Sequence, residues 1–412
     1  MKYFYFLLFS FFAFSANAQV SSNVTFLHEG KTVHGTFLKP SSTGIYPTII
    51  IGPGSGANDR DGTLNLTGGN VQCLYPQLLN QTLKIYKQLA EALVDSGYAV
   101  LRYDKLEYTY PNNLGAITFR KLWLPVESAI KYIKTRSDVD TSQIILLGHS
   151  EGATLIPFIA KQRTDVKALI SIAGARTPFD SILAYQLEYI ALECNGDVQQ
   201  AVATGNQVTD YFETIRSNTF NTSTPPLFGV PASEWHEYVK ATDPVATNYN
   251  TASLPTLFVG LALDFNVPLS ELKRFENEVS ITHDFWEMAG LNHYMTPNDN
   301  PNVSRALTDT IIYWLRQHIT TTSIAKFAPI ADFIQIKPNP VENNVTITVS
   351  KTGYQTINVC LRNHLGQVIL QEQIYNNGSG NYNFNLEPHP PGLYFISIQF
   401  DGELITKKII KK

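Results

Sequence analysis

A serine hydroxyl becomes a useful nucleophile only where a base can take its proton, and one stretch of this 412-residue chain offers such a serine. In QIILLGHSEGA, residues 143–153, an apolar run stops at Gly148, Ser150 follows, and Gly152 comes two residues later. The pattern predicts a buried strand turning sharply into a helix, with Ser150 strained at the turn and its hydroxyl clear of the sheet. Side chains at 148 and 152 would collide across such a turn. The base should be a histidine held by a carboxylate, which fixes its tautomer and stabilises the imidazolium. On a parallel sheet the chain order is serine, acid, histidine. Asp264 and His293 fit that order: Asp264 ends the run LPTLFVGLALD and precedes Asn266, Val267 and Pro268, while His293 follows Gly290, Leu291 and Asn292. His283 and Asp284, inside the strand before His293, are the competing pair. His149 should point away from the pocket, and His236 is a weaker candidate for substrate contact.

The elements that must position these groups follow from periodicity. Alternation from Asn23 to Pro40 predicts a hairpin turning at Glu29 and Gly30. Tyr46 to Ile51 reads as a buried strand running into GPGSGANDRDGT, residues 52–63, whose glycines expose several backbone N–H groups where an oxyanion could bind. Helices are expected over Thr82–Asp95, Leu122–Arg136, Gly152–Lys161 and Arg305–Ile319, with strands at Tyr98–Tyr103 and Val166–Ala173. Strand and helix alternate as in a parallel sheet with crossover helices. From about 176 to 251 the alternation gives way to a helical, aromatic-rich stretch, read as a cap over the site. Residues 19–322 form the expected catalytic domain and 323–332 a linker. Residues 333–412 alternate with period two, which predicts a small all-β sandwich.

Composition excludes several classes. The net charge is −4 and Lys and Arg are scattered, which leaves no footprint for nucleic acid. Residues 1–18, MKYFYFLLFSFFAFSANA, carry a basic start, a short apolar run and small residues spaced for cleavage before Gln19; they read as a signal peptide. No later run is long enough to span a membrane, so stable membrane insertion is not expected. Cys73, Cys194 and Cys360 allow at most one bridge. Neither their spacing nor that of the histidines suggests a zinc site, so no metal is expected.

Five motifs together carry a resemblance: GSGANDRDGT at 54–63, VLRYDK at 100–105, GHSEGA at 148–153, GLALDFNVP at 260–268 and GLNH at 290–293. Residues 20–320 resemble an α/β-hydrolase of the esterase and serine-aminopeptidase-like, dienelactone-hydrolase-like branch. The resemblance implies Ser150 as nucleophile, Asp264 as orienting acid, His293 as general base, and an oxyanion hole from the backbone N–H groups of Ser55 and Glu151. It implies that Asp59, Arg60 and Asp61 hold the loop in shape. The chain departs from many relatives after Lys105, where it has Leu106, Glu107 and Tyr108. The C-terminal stretch, with IKPNPVENNVTI at 336–347, PPGLYFISI at 390–398 and the basic end ITKKIIKK, resembles the sorting domain of the type IX secretion pathway of Bacteroidetes. That implies the secretion machinery as a partner and a secreted or cell-surface location. The expected activity is cleavage of a small carboxylic ester through an acyl-enzyme, without cofactor. The alternatives are a peptidase or amidase on the same triad, with Glu188, Glu193 or Glu234 receiving a free amino terminus, and a surface binding protein without turnover.

Overall fold

The computed structural model describes residues 19–319, 334–349, 355–363, 368–376, 380–400 and 403–412; the expected signal peptide and linker lie outside them. The chain divides into two units, Met1–Ser323 and Ile324–Lys412.

The first unit is built on an eight-stranded sheet. Its strands are β1 (Val20–His28), β2 (Lys31–Lys39), β3 (Tyr46–Gly52), β4 (Ala99–Tyr103), β5 (Val139–His149), β6 (Val166–Ile172), β7 (Thr256–Leu261) and β8 (His283–Met288). They lie in the order β1-β2-β4-β3-β5-β6-β7-β8. The hairpin β1–β2 and the β2–β4 pair are antiparallel, and every later pair is parallel. Every residue of β3 and of β7 is buried, as strands covered on both faces require. This is the fold that the resemblance implies.

The helices are α1 (Ile85–Asp95), α2 (Pro125–Ile133), α3 (Glu151–Ala160), a run of four comprising α4 (Phe179–Glu193), α5 (Val198–Arg216), α6 (Ala232–Thr242) and α7 (Val245–Ala252), then α8 (Ser270–Glu278) and α9 (Arg305–His318). The period of two along the strands divides the core. Ile50, Ile144 and Leu146 face α2 and α3, while Ile49, Ile51, Ile145 and Leu147 face α1 and α9. The helices α4 to α7 fill the stretch between β6 and β7. Their buried aromatics, including Phe212, Trp235 and Tyr238, all nearly inaccessible, join the core that faces α2 and α3, where Trp123 packs on Trp235 and Tyr238.

Two expected helices are corrected. The one read from Thr82 starts at Ile85, because Thr82–Lys84 instead pairs antiparallel with Thr63–Asn65. The one read over Leu122–Arg136 is interrupted at Leu124: a short turn, Phe119–Trp123, ends there and Pro125 opens α2. Proline lacks the N–H that would continue a helix and suits its first position. Cys73 and Cys194 form a disulfide between the segment following the glycine-rich loop and the end of α4. Closing a loop of 121 residues restricts the unfolded chain, an effect worth roughly 4–5 kcal/mol in the loop-entropy account. Cys360 is free.

The second unit holds two antiparallel sheets. Its strands are β9 (Ile334–Lys337), β10 (Asn344–Val349), β11 (Gln355–Asn363), β12 (Val368–Asn376), β13 (Gly380–Asn385), β14 (Gly392–Phe400) and β15 (Glu403–Lys411). The sheets run β9-β10-β13 and β12-β11-β14-β15. Alternate residues Val345 and Ile347, Ile357, Val359 and Leu361, and Ile396 and Ile398 fill the core between them.

Candidate active site

β5 ends at His149 and α3 begins at Glu151, so Ser150 alone makes the turn. Its φ of 55° and ψ of −121° lie where a residue with a side chain is strained. The turn is held because Ser150 N donates to the Ile172 carbonyl at 2.9 Å. A Cβ on Gly148 would stand 2.5 Å from the Gly152 carbonyl carbon, and one on Gly152 would overlap the Gly52 carbonyl oxygen. Both glycines are therefore demanded by close backbone approach, not by flexibility.

Asp264 follows β7 and His293 follows β8, both at the C-terminal edge of the sheet. His293 Nδ1 lies 2.7 Å from Asp264 Oδ2, and both residues are buried. A carboxylate can only accept, so Nδ1 carries the proton and Nε2 is left to receive another. The other Asp264 oxygen accepts from Val267 N at 3.0 Å. The two loops are tied together by Leu263 N donating to the Leu291 carbonyl at 2.8 Å. Fully buried Asn292 shapes the histidine loop, its Oδ1 accepting from Tyr294 N at 2.9 Å and from Thr296 Oγ1 at 3.2 Å. The competing pair stands elsewhere. His283 and Asp284 begin β8, at the opposite end of the strand, and Asp284 Oδ2 accepts from Trp314 Nε1 at 2.8 Å.

The glycine-rich loop lies against the elbow: a Cβ on Gly54 would stand 3.3 Å from Ser150 Cβ. Gly54 N already donates to the Tyr86 hydroxyl at 2.8 Å, so it is not free for a ligand. Among the described residues, neither Ser55 N nor Glu151 N meets an acceptor. The DRD cluster braces this loop from behind. Asp59 accepts from Thr63 N at 2.8 Å and Thr63 Oγ1 at 2.7 Å, Arg60 pairs with Asp104 at 2.6 Å, and Asp61 pairs with Arg102.

His149 is bound into the site, where sequence reasoning only pointed it away from the pocket. Its Nε2 donates to the His293 carbonyl at 2.9 Å, and its Nδ1 accepts from the Tyr86 hydroxyl at 3.0 Å. A hydrogen-bonded row thus runs from Gly54 through Tyr86 and His149 to the backbone of His293. Tyr86 had no sequence signal for this, since it lies in the first turn of α1, far along the chain from either partner. Burial, and then the neighbouring His293, lower the His149 pKa from 6.5 to about 3. The folded state therefore binds fewer protons than the unfolded chain between about pH 6.5 and 3. Stability linked to His149 is intact above that window and lost as pH falls through it. Denaturant midpoints should drop between pH 7 and 4, and His149→Asn should flatten that drop; equal slopes for the two proteins would refute the linkage.

Lys105 is also buried in the site. Its Nζ lies 3.3 Å from the Gly54 carbonyl oxygen and 3.4 Å from Glu151 Oε2. Burial works against its ammonium, but Glu151 and Glu107 outweigh this and hold its pKa above the ordinary value. Glu151 Oε1 accepts from Trp123 Nε1 at 2.9 Å and from the Tyr238 hydroxyl on α6 at 3.3 Å. The carboxylates considered for a free amino terminus are differently placed: Glu188 and Glu193 are exposed, and Glu234 accepts from Phe119 N at 2.7 Å. His236 is bound to the Ile215 carbonyl at 2.9 Å, inside the helical layer. Among the described residues no group of three or more His, Cys, Asp or Glu is arranged to hold a metal ion. Among them, too, no helix is long and apolar enough to cross a membrane.

Residues 335–412 match the family described as secretion system C-terminal sorting domain, and residues 126–235 match BAAT / acyl-CoA thioester hydrolase C terminal. The chain is 26% identical over 301 residues to Esterase EstD of Thermotoga maritima, a match covering 68% of this chain. It spans 65% of that relative's length. It is similar to the esterase domain of a Rhodothermus marinus protein, with a TM-score of 0.46, 15% identity, and 73% of this chain and 100% of that one covered. It is similar also to Est1E from Butyrivibrio proteoclasticus, with a TM-score of 0.46, 16% identity, and 72% and 98% covered. The C-terminal match places the chain on the type IX secretion route, to the cell surface or the medium.

Proposed function

We propose that this chain, an α/β-hydrolase carrying a type IX sorting domain, is an esterase that cleaves small carboxylic esters at Ser150. The observation that carries the reading is the 2.7 Å contact of Asp264 with His293 Nδ1, which leaves Nε2 as the proton acceptor in a structure that also holds Ser150 at a strained elbow. Ser150 attacks the ester carbonyl as His293 takes its proton, and the carbonyl oxygen becomes an oxyanion. The Ser55 and Glu151 N–H groups stabilise that charge. His293 then protonates the departing alcohol, leaving an acyl-enzyme. Water, deprotonated by the same histidine, releases the acid and restores Ser150.

The similarity to Esterase EstD supports an ester substrate. The placement of the three cap carboxylates supports it over an aminopeptidase: two face solvent and the third is spent on a backbone N–H. The sorting domain partners the secretion machinery. A panel of p-nitrophenyl esters and aminoacyl p-nitroanilides tests the assignment. Short-chain esters should be turned over at least about 100-fold faster than anilides, on the scale by which a differently built site discriminates. Faster cleavage of anilides bearing a free amino group would replace the esterase reading with the peptidase one.

A further inference from the structure

The two N–H groups assigned to the oxyanion come from loops far apart in sequence, and donors are effective only if their separation is fixed before charge develops. The Lys105 side chain reaches a neighbouring oxygen at each. Its Nζ is 3.3 Å from the Gly54 carbonyl oxygen and 3.4 Å from Glu151 Oε2, with Glu107 Oε1 at 3.7 Å. The Gly54 carbonyl and the Ser55 N–H belong to one peptide unit, whose planar trans geometry points them in opposite directions. A cation at the carbonyl end therefore acts on where the N–H points. It also withdraws charge along the amide, and hydrogen-bonded groups in a row polarise one another in this way. At the other loop, Glu151 contributes the second N–H, and its carboxylate is fixed by Lys105, Trp123 and Tyr238. The Lys105 backbone acts on the same loop: its N–H donates to the Asn58 carbonyl at 2.9 Å, and Asn58 Nδ2 donates to the Gly54 carbonyl at 3.0 Å.

We propose that Lys105 is the positioning residue of the oxyanion hole: clamped by Glu151 and Glu107, its ammonium orients and polarises the Gly54–Ser55 peptide and ties it to the elbow. This rests on the esterase reading of Ser55 and Glu151. Lys105 touches no substrate atom and transfers no proton. It acts only through the two donors, so it should matter where the carbonyl oxygen is most negative and little where substrate merely binds.

The test uses the full chain with Lys105→Met, Lys105→Arg and the double variant Lys105→Met/Glu151→Gln, which removes the buried charge pair together should the single variant fail to fold. With p-nitrophenyl acetate, Lys105→Met should lose about 10- to 100-fold in kcat, below the loss from deleting a donor outright, with KM within about threefold. Affinity for a trifluoromethyl ketone, which forms a tetrahedral oxyanion on the serine, should fall by a similar factor. The infrared band of the acyl-enzyme carbonyl should move to higher frequency as its polarisation weakens, and Lys105→Arg should recover part of each loss. Folded variants with unchanged kcat, ketone affinity and carbonyl band would overturn the proposal. So would a loss confined to KM and thermal stability, the pattern of a mere prop. Full turnover by Ser150→Ala would instead refute the esterase mechanism itself, whatever the Lys105 variants do.

Discussion

Ser150→Ala should remove labelling by a fluorophosphonate probe and lower ester hydrolysis by about 10^6-fold in kcat, the scale seen when a triad serine is lost. The size follows from the geometry of the elbow. Ser150 is the one residue between β5 and α3, its backbone is held at positive φ, and its N–H is anchored on Ile172. No neighbouring hydroxyl shares that turn, so none can substitute for it. The residual rate should be that supplied by binding and the two backbone donors. Because alanine tolerates the same turn no worse than serine, thermal stability should be unchanged or slightly raised. Labelling that persists in Ser150→Ala would remove this residue from the mechanism.

Asp264→Asn should leave the fold intact and lower kcat by about 10^4-fold, since an amide can donate to Nδ1 and so stabilise the wrong tautomer. The same contact that orients the ring in the native protein becomes the cause of the loss. Asp264 is buried, and its second oxygen accepts from Val267 N, so asparagine can keep that bond with its own carbonyl and leave only its NH2 to face His293. His293→Ala should be as inactive as Ser150→Ala, because the ring is what accepts the serine proton. An active His293→Ala alongside an inactive His283→Ala would transfer the role to the competing pair. That outcome would be hard to reconcile with Asp284, whose carboxylate is engaged by Trp314 at the far end of β8.

What the sequence determined is whatever depends on local pattern. The apolar runs of β3, β5 and β7 read as strands covered on both faces, and the two glycines flanking Ser150 point to a tight strand-to-helix turn because an apolar run leads straight into them. The period-two segments after residue 333 marked a separate all-β domain for the same reason, and its sorting role came from the resemblance carried by the motif around Pro338 and Pro340. Asp264 and His293 could be placed in order along the chain, but their 2.7 Å contact depends on β7 and β8 being adjacent and parallel. Where local signals competed, tertiary pairing won: Thr82–Lys84 has helical neighbours in sequence yet satisfies its backbone against Thr63–Asn65. The row from Gly54 through Tyr86 and His149 to His293, the partners of Lys105 and the choice of Cys73 with Cys194 for the one possible bridge were not legible in the sequence. Each joins side chains from segments far apart in the chain, and such a pairing carries no periodicity. It exists only because the sheet brings the ends of its parallel strands to one edge, where buried polar groups must find partners among whatever the fold has placed beside them.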